Sequence, residues 1–269
     1  MCTDSERQDG TASEAAAEQA TEQSADRGKP APAADAALID DLVLANHILF
    51  NHGVVDAFGH VSVRHDTATD RFLLARNLAP VLVTPDDILE FDLDGNPLAA
   101  RGRPVYLERF IHGEIYRARP DVMAVVHSHA AAVVPFGIVR SEALKPIWHM
   151  SGFLGEGVPV FEIRKTAGPG SDLLIRSGGL GAALAASLGP SSVVLMRGHG
   201  ATIVGSSLKQ AVFQAVYTQI NAELQLQAKL LGAATFLTAQ EAAATTISVG
   251  GQIDRAWDMW AQQAGYNNQ

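Results

Sequence analysis

Apolar residues recur along this chain at two periods, and the alternation between them predicts helices packed on a central sheet. Across residues 37–52, Leu38, Leu42, Leu44, Ala45, Ile48 and Leu49 fall mostly at helical spacing, and Gly53 supplies a stop. Short runs at residues 61–64, 72–74, 81–83 and 89–93 predict strands, with Asp94-Gly95-Asn96-Pro97 as a turn. A helix is expected over residues 107–118. From His127 to Phe136 the chain is expected to leave a strand end and enter an Ala-rich helix. Further strands are expected at 158–161 and 193–196, and further helices at 180–188 and 208–231. The stretch 217–231 is apolar on more than one face, which fits subunit contacts as well as core packing. Periodicity alone leaves parallel and antiparallel strand order open.

Within this pattern, Val125-Val126-His127-Ser128-His129-Ala130 places two imidazoles on one face of a strand that reads as buried, with Ser128 facing the other way. That spacing suits one metal ion, because neutral imidazole is the commonest metal-ligating side chain. Two histidines alone are as well explained as surface or core residues. A third donor is available in His199, where an apolar run ends in Gly198-His199-Gly200 and the glycines let backbone crowd a ligand. Glu108 is a fourth, at the expected helix start one turn before His112. Three imidazoles and a carboxylate suit zinc, manganese or iron and leave room for water or substrate.

The Glu108-x3-His112 pair, the run from Arg119 to His129, and Arg197-Gly198-His199-Gly200-Ala201 resemble, in order and spacing, the class II aldolase/adducin family. The resemblance runs from about Asp40 to the helix ending near Leu231. It implies a three-layer α/β/α fold with a mainly antiparallel central sheet, and a cyclic homotetramer with active sites near subunit interfaces. It also implies one divalent ion per subunit on His127, His129 and His199, with Glu108 as ligand or acid/base. Adducin carries the fold without the complete metal-binding set, so retention of all four residues argues for an enzyme.

The departures from the aldolase pattern fall on the segments that cradle a sugar phosphate in that family. Gly59-His60-Val61-Ser62 stands for Gly-Asn-Val-Ser, Ala75-Arg76-Asn77-Leu78-Ala79 near the Thr-Pro-Thr/Ser-Gly turn, and Pro104-Val105-Tyr106-Leu107 before the glutamate. Bulkier groups replace small hydroxyl donors. Arg76 can pair with a carboxylate, and His60 and Tyr106 can hydrogen-bond or stack on a flat ring. Asn77 and His149 are further candidates for substrate contact. His112 is a candidate hydrogen-bonding partner of the metal ligands, although an ordinary core-facing helix residue accounts for it equally.

This pattern is similar to the decarboxylase branch of the family, which includes 3-hydroxy-2-methylpyridine-4,5-dicarboxylate and dihydroxyphthalate decarboxylases. A metal-dependent lyase of a hydroxylated aromatic or pyridine dicarboxylate is therefore expected. Manganese is favoured, zinc and iron(II) are alternatives, and Glu108 is the candidate proton donor. An aldolase or epimerase on a hydroxy acid or sugar derivative, an oxygenase, and a non-catalytic adducin-like module are the competing readings.

Composition narrows the setting. With 269 residues and 47% hydrophobic content the chain can bury a substantial core. A net charge of −9 without a basic stripe argues against nucleic acid as partner, and leaves a small acid as the expected ligand. The single cysteine, Cys2, excludes an intramolecular disulfide. No apolar segment approaches membrane-spanning length and no secretory signal is evident, so a cytoplasmic protein is expected. Residues 1–36 are rich in Ala, Glu, Gln, Ser and Asp, with almost nothing to bury, and are expected to be a disordered tail before a catalytic domain at 37–269. Gly178-Gly179-Leu180-Gly181 lacks the flanking strand and downstream acid of a dinucleotide loop, so no nucleotide or organic cofactor is expected. Tyr266, Trp257 and Trp260 are candidate donors to a neighbouring subunit.

Overall fold

The computed structural model describes residues 33–265, so most of the expected tail, Cys2 and Tyr266 lie outside the described residues. Seven strands, β1 (His60–Arg64), β2 (Arg71–Ala75), β3 (Ile88–Asp92), β4 (Ala124–Ser128), β5 (Val160–Phe161), β6 (Val193–Met196) and β7 (Gly200–Gly205), form one sheet in the order β3-β2-β1-β4-β7-β6-β5. Every neighbouring pair is antiparallel except β5 with β6. The helices are α1 (Ala36–Asn51), α2 (Phe110–Ala118), α3 (Val134–Ile138), α4 (Arg164–Ala167), α5 (Gly178–Leu188), α6 (Leu208–Leu231), α7 (Ala239–Gly250) and α8 (Ile253–Gln263). None among the described residues is long and apolar enough to cross a membrane.

Successive strand residues point to opposite faces, so the apolar runs feed two cores. Ala124 and Val126 of β4 pack with Leu42, Ile48 and Leu49 of α1 and Val212 of α6, whereas Val125 packs with Ile111 and Ile115 of α2 and Leu184 of α5. The sheet is thus the middle of three layers, as the resemblance implies. Asp35 caps α1 by accepting from the Ala37 N–H, and the helix stops where Gly53 takes φ +67°. Helices α2 and α5 approach closely because Gly181 has no Cβ, which would lie 2.5 Å from the Phe110 carbonyl oxygen.

Several expectations are corrected. Residues 81–83 are not a strand: Pro80 and Pro85 lock φ and remove backbone donors, and Pro80–Leu82 and Pro85–Asp87 form 3-10 turns. The helix expected from residue 107 begins at Phe110, leaving Glu108 in the preceding turn. The Ala-rich segment after His129 turns before the short α3. Strand β7 and helices α7 and α8 were not foreseen. Helix α7 opens with a Thr238/Glu241 capping box, and α8 buries Trp257 and Trp260. At the end of α6, Leu230 and Leu231 are 89% and 92% exposed.

Candidate metal centre

Strand register brings the first ligand candidates together. His60 of β1, His127 of β4 and Thr202 of β7 are direct cross-strand partners, on the face covered by α2 and α5. His129 lies just beyond the end of β4. His199 occupies the turn between β6 and β7, where Gly198 adopts φ +67°. Gly200 lies so close to β4 that a Cβ would fall 2.0 Å from the Ser128 carbonyl oxygen. Only glycine permits that approach, and it carries His199 to His129.

The resulting cluster is tight. The Nε2 atoms of His127 and His129 are 3.0 Å apart, and those of His129 and His199 2.9 Å. Glu108 Oε2 lies 3.4 Å from His127 Nε2 and 3.5 Å from His199 Nε2. One donor atom from each of the four residues lies within 4.8 Å of all the others.

Supporting contacts aim these atoms inward. His199 Nδ1 is 2.9 Å from the Leu173 carbonyl oxygen. A carbonyl only accepts, so Nδ1 carries the proton and Nε2 keeps a lone pair for a ligand role. Leu173 holds φ +70°, a backbone conformation costly for a branched side chain, at the point where it touches His199. The Ile175 N–H donates to Glu108 Oε1 at 2.8 Å. Burial alone would raise the Glu108 pKa, but His127 and His199 outweigh it and hold the carboxyl well below the usual range. Burial lowers His199 while hydrogen bonding to Glu108 raises it, and the net shift is upward. Burial, with His127 and His199 close by, pushes His129 down to about 4. Three converging imidazoles and an ionised carboxylate fit a divalent cation in number and donor type. His127 Nδ1 is buried with no hydrogen-bond partner among the described residues.

The other predicted residues divide. His60 and Tyr106 form one wall beside the cluster: their rings lie 4.5 Å apart, and the His60 ring lies 5.1 Å from that of His127. The Tyr106 hydroxyl is already committed to the Leu78 carbonyl, and burial pushes its pKa up to about 12. Tyr106 therefore offers a ring face rather than a free hydroxyl. Arg76 Nε bonds Asp87 Oδ1 at 2.6 Å, so an internal carboxylate occupies part of the fork expected to receive the substrate. The Asn77 N–H donates to the Pro104 carbonyl, which fixes the loop. His149 is not with the cluster. It lines a separate small cavity with Gly152, Phe153, Gln214 and Thr245.

His112 is fully buried and touches no metal-ligand candidate by hydrogen bond. Its Nε2 lies 2.7 Å from His60 Nδ1 and its Nδ1 lies 2.6 Å from Ser62 Oγ, which is 2.8 Å from the Tyr116 hydroxyl. Ser62, Tyr116, Leu173 and Ile175 were missed by sequence reasoning. The one signal for Ser62 was its position two residues after His60, on the same strand face.

The sequence matches the Class II Aldolase and Adducin N-terminal domain over residues 40–226. It is 40% identical over 240 residues to Decarboxylase tropJ of Talaromyces stipitatus, covering 81% of this chain and 90% of that protein. It is 33% identical over 218 residues to the 3,4-dihydroxyphthalate decarboxylase of Arthrobacter keyseri, covering 76% of this chain and 83% of that enzyme. The fold matches L-fuculose 1-phosphate aldolase from Glaciozyma antarctica PI12 with a TM-score of 0.70 at 24% identity, over 88% of this chain and 95% of that one. At that identity the likeness speaks for the fold alone.

Proposed function

Because the chain belongs to the class II aldolase and adducin N-terminal domain family, we propose that it is a divalent-metal-dependent carboxy-lyase of a hydroxylated aromatic acid. The observation that carries this reading is the convergence of Glu108, His127, His129 and His199 beside a wall made by the rings of His60 and Tyr106. Both relatives described above bear decarboxylase names, and that of Arthrobacter keyseri is named for 3,4-dihydroxyphthalate. That name favours a benzene dicarboxylate over the pyridine dicarboxylate considered from the sequence.

Glu108, His127, His129 and His199 would hold the ion, which when bound supplies Lewis acidity to an adjacent ring hydroxyl and carboxylate. The residues themselves account for the rest. Glu108 has one oxygen fixed by Ile175 and the other turned toward two imidazoles, so it acts as an ionised ligand. The proton that replaces carbon dioxide on the ring carbon then comes from another donor or from water. His60 and Tyr106 hold the substrate ring in one plane, which keeps the breaking bond oriented while electron density passes toward the hydroxyl oxygen.

The test is carbon dioxide release from 3,4-dihydroxyphthalate and from 3-hydroxypyridine-4,5-dicarboxylate, and aldehyde release from a sugar phosphate, each with and without chelator. Metal-dependent release from the benzenoid acid is expected. Cleavage of the sugar phosphate with no gas from either ring acid would overturn the reading.

A further inference from the structure

The hydrogen-bonded line from Tyr116 to His60 has a direction that its own geometry decides. Tyr116 is 1% exposed, and its single O–H must find an acceptor. Ser62 Oγ lies 2.8 Å away. The Arg64 guanidinium, which lies over the ring, carries donors only. Among the described residues, Ser62 Oγ is therefore the acceptor left for Tyr116.

Ser62 then accepts from Tyr116 and has one O–H of its own, and its other partner is His112 Nδ1 at 2.6 Å. His112 Nδ1 must be the bare nitrogen, so its proton sits on Nε2 and points at His60 Nδ1 across 2.7 Å. His60 Nδ1 in turn accepts. A proton on His60 Nδ1, in either a neutral or a charged ring, would reverse every bond in the line and strand the Tyr116 hydroxyl in the core without an acceptor.

We propose that His60 is locked as the Nε2–H tautomer and donates that hydrogen to an ionised oxygen of the bound ring acid. His112, Ser62 and Tyr116 set the polarity as positioning residues. The proposal rests on the ring-acid reading for its ligand, whereas the tautomer stands on the protein alone. His60 Nε2 has no hydrogen-bond partner among the described residues, and the ring lies directly across from His127, so a carboxylate or phenolate held at the cluster falls beside it. Burial, with neighbouring imidazoles, lowers the pKa of both rings, in keeping with neutral forms. As a donor, His60 favours a ligand already ionised at that oxygen and cannot serve as the base that ionises it.

The experiment is long-range proton–nitrogen NMR on zinc-loaded, 15N-histidine-labelled full chain, first alone and then with salicylate as probe. The expected result is a bare Nδ1 and protonated Nε2 on both His60 and His112, with the His60 Nε2–H moving downfield when salicylate binds. A protonated Nδ1 on His60 would overturn the proposal. So would salicylate binding that leaves the His60 N–H unmoved. Salicylate that fails to bind would remove the ring-acid reading and the ligand proposed here, and the tautomers would still report on the polarity separately. In Ser62→Ala the fixed tautomers should give way to a mixture and KM for the ring acid should rise about tenfold, the worth of one hydrogen bond to a charged group, with kcat little changed. Ser62→Thr should restore both. Unchanged tautomers in Ser62→Ala contradict the polarity argument, and Tyr116→Phe provides the same test should Ser62→Ala not fold.

Discussion

The Ile175 N–H and Glu108 Oε1 lie 2.8 Å apart, and this one contact decides which carboxylate oxygen faces the histidine cluster. Ile175 comes from the segment before α5 and Glu108 from the turn before α2, so the packing of two helices aims the carboxylate. Glu108→Gln keeps an oxygen for Ile175 and loses the charge. Metal content by elemental analysis should fall, and turnover should fall about a hundredfold or more. Full metal occupancy with full turnover would show that Glu108 neither ligates nor stabilises charge.

Gly200 places no side chain in the site, yet the position of His199 depends on it. A methyl group there would meet the Ser128 carbonyl oxygen at 2.0 Å, so β7 must shift from β4. Gly200→Ala should therefore lower metal affinity with all four ligands still present, and destabilise the fold by about 1–3 kcal/mol. Metal titration and thermal unfolding of the variant check this. Wild-type affinity would mean that the turn adjusts without moving His199.

Acid should weaken the metal-free fold for a definite reason. Burial, with His127 close by, pushes His112 from 6.5 down to about 3. Between those values the unfolded chain binds a proton that the folded chain excludes, so unfolding gains as pH falls. The stability His112 contributes is complete above about pH 6.5 and drains below it, at up to about 1.4 kcal/mol per pH unit. His60 and His129, also lowered, act in the same direction. Urea midpoints of chelated protein should fall from about pH 7 to pH 5, and less steeply in His112→Gln. Identical slopes in the two proteins would show that His112 titrates normally in the fold.

Tyr106 is expected to act through its ring. Its hydroxyl is spent on the Leu78 carbonyl. Tyr106→Phe should cost about 1 kcal/mol of stability and leave kcat within about threefold, whereas Tyr106→Ala should raise KM for a ring acid about tenfold or more. A large kcat loss in Tyr106→Phe would assign the hydroxyl a role in the chemistry.

Much of the histidine cluster's geometry was legible because strand period and glycine spacing are local signals. The alternation through His127 and His129, and the glycines around His199, each lie within a few residues, so their geometry follows from backbone rules. The polar line behind His60 was not legible, since His112 and Tyr116 lie 52 and 54 residues from the β1 partners they bond. The Arg76–Asp87 pair was not legible for a related reason. A guanidinium offers the same fork to substrate or protein, and which carboxylate fills it depends on Asp87, placed by a capped 3-10 turn.

Element errors had local causes as well. Residues 81–83 carry strand-forming side chains, but the flanking prolines outweigh that preference. Strand β7 opens with Gly200-Ala201 and closes with Gly205, so its branched residues are confined to Thr202-Ile203-Val204, although its pairing with β4 buries all six of its residues. Ala and Thr make up half of helix α7, and Ala242 is its one buried residue, which leaves little apolar period to read.

The most direct test of the account is to strip the full chain with chelator and titrate a divalent ion back while recording carbon dioxide release from 3,4-dihydroxyphthalate, alongside a His127→Ala/His129→Ala variant. Release should be absent in stripped protein, return in proportion to metal up to one ion per chain, and stay absent in the variant. Release at an undiminished rate from stripped protein, or from the variant, would contradict it.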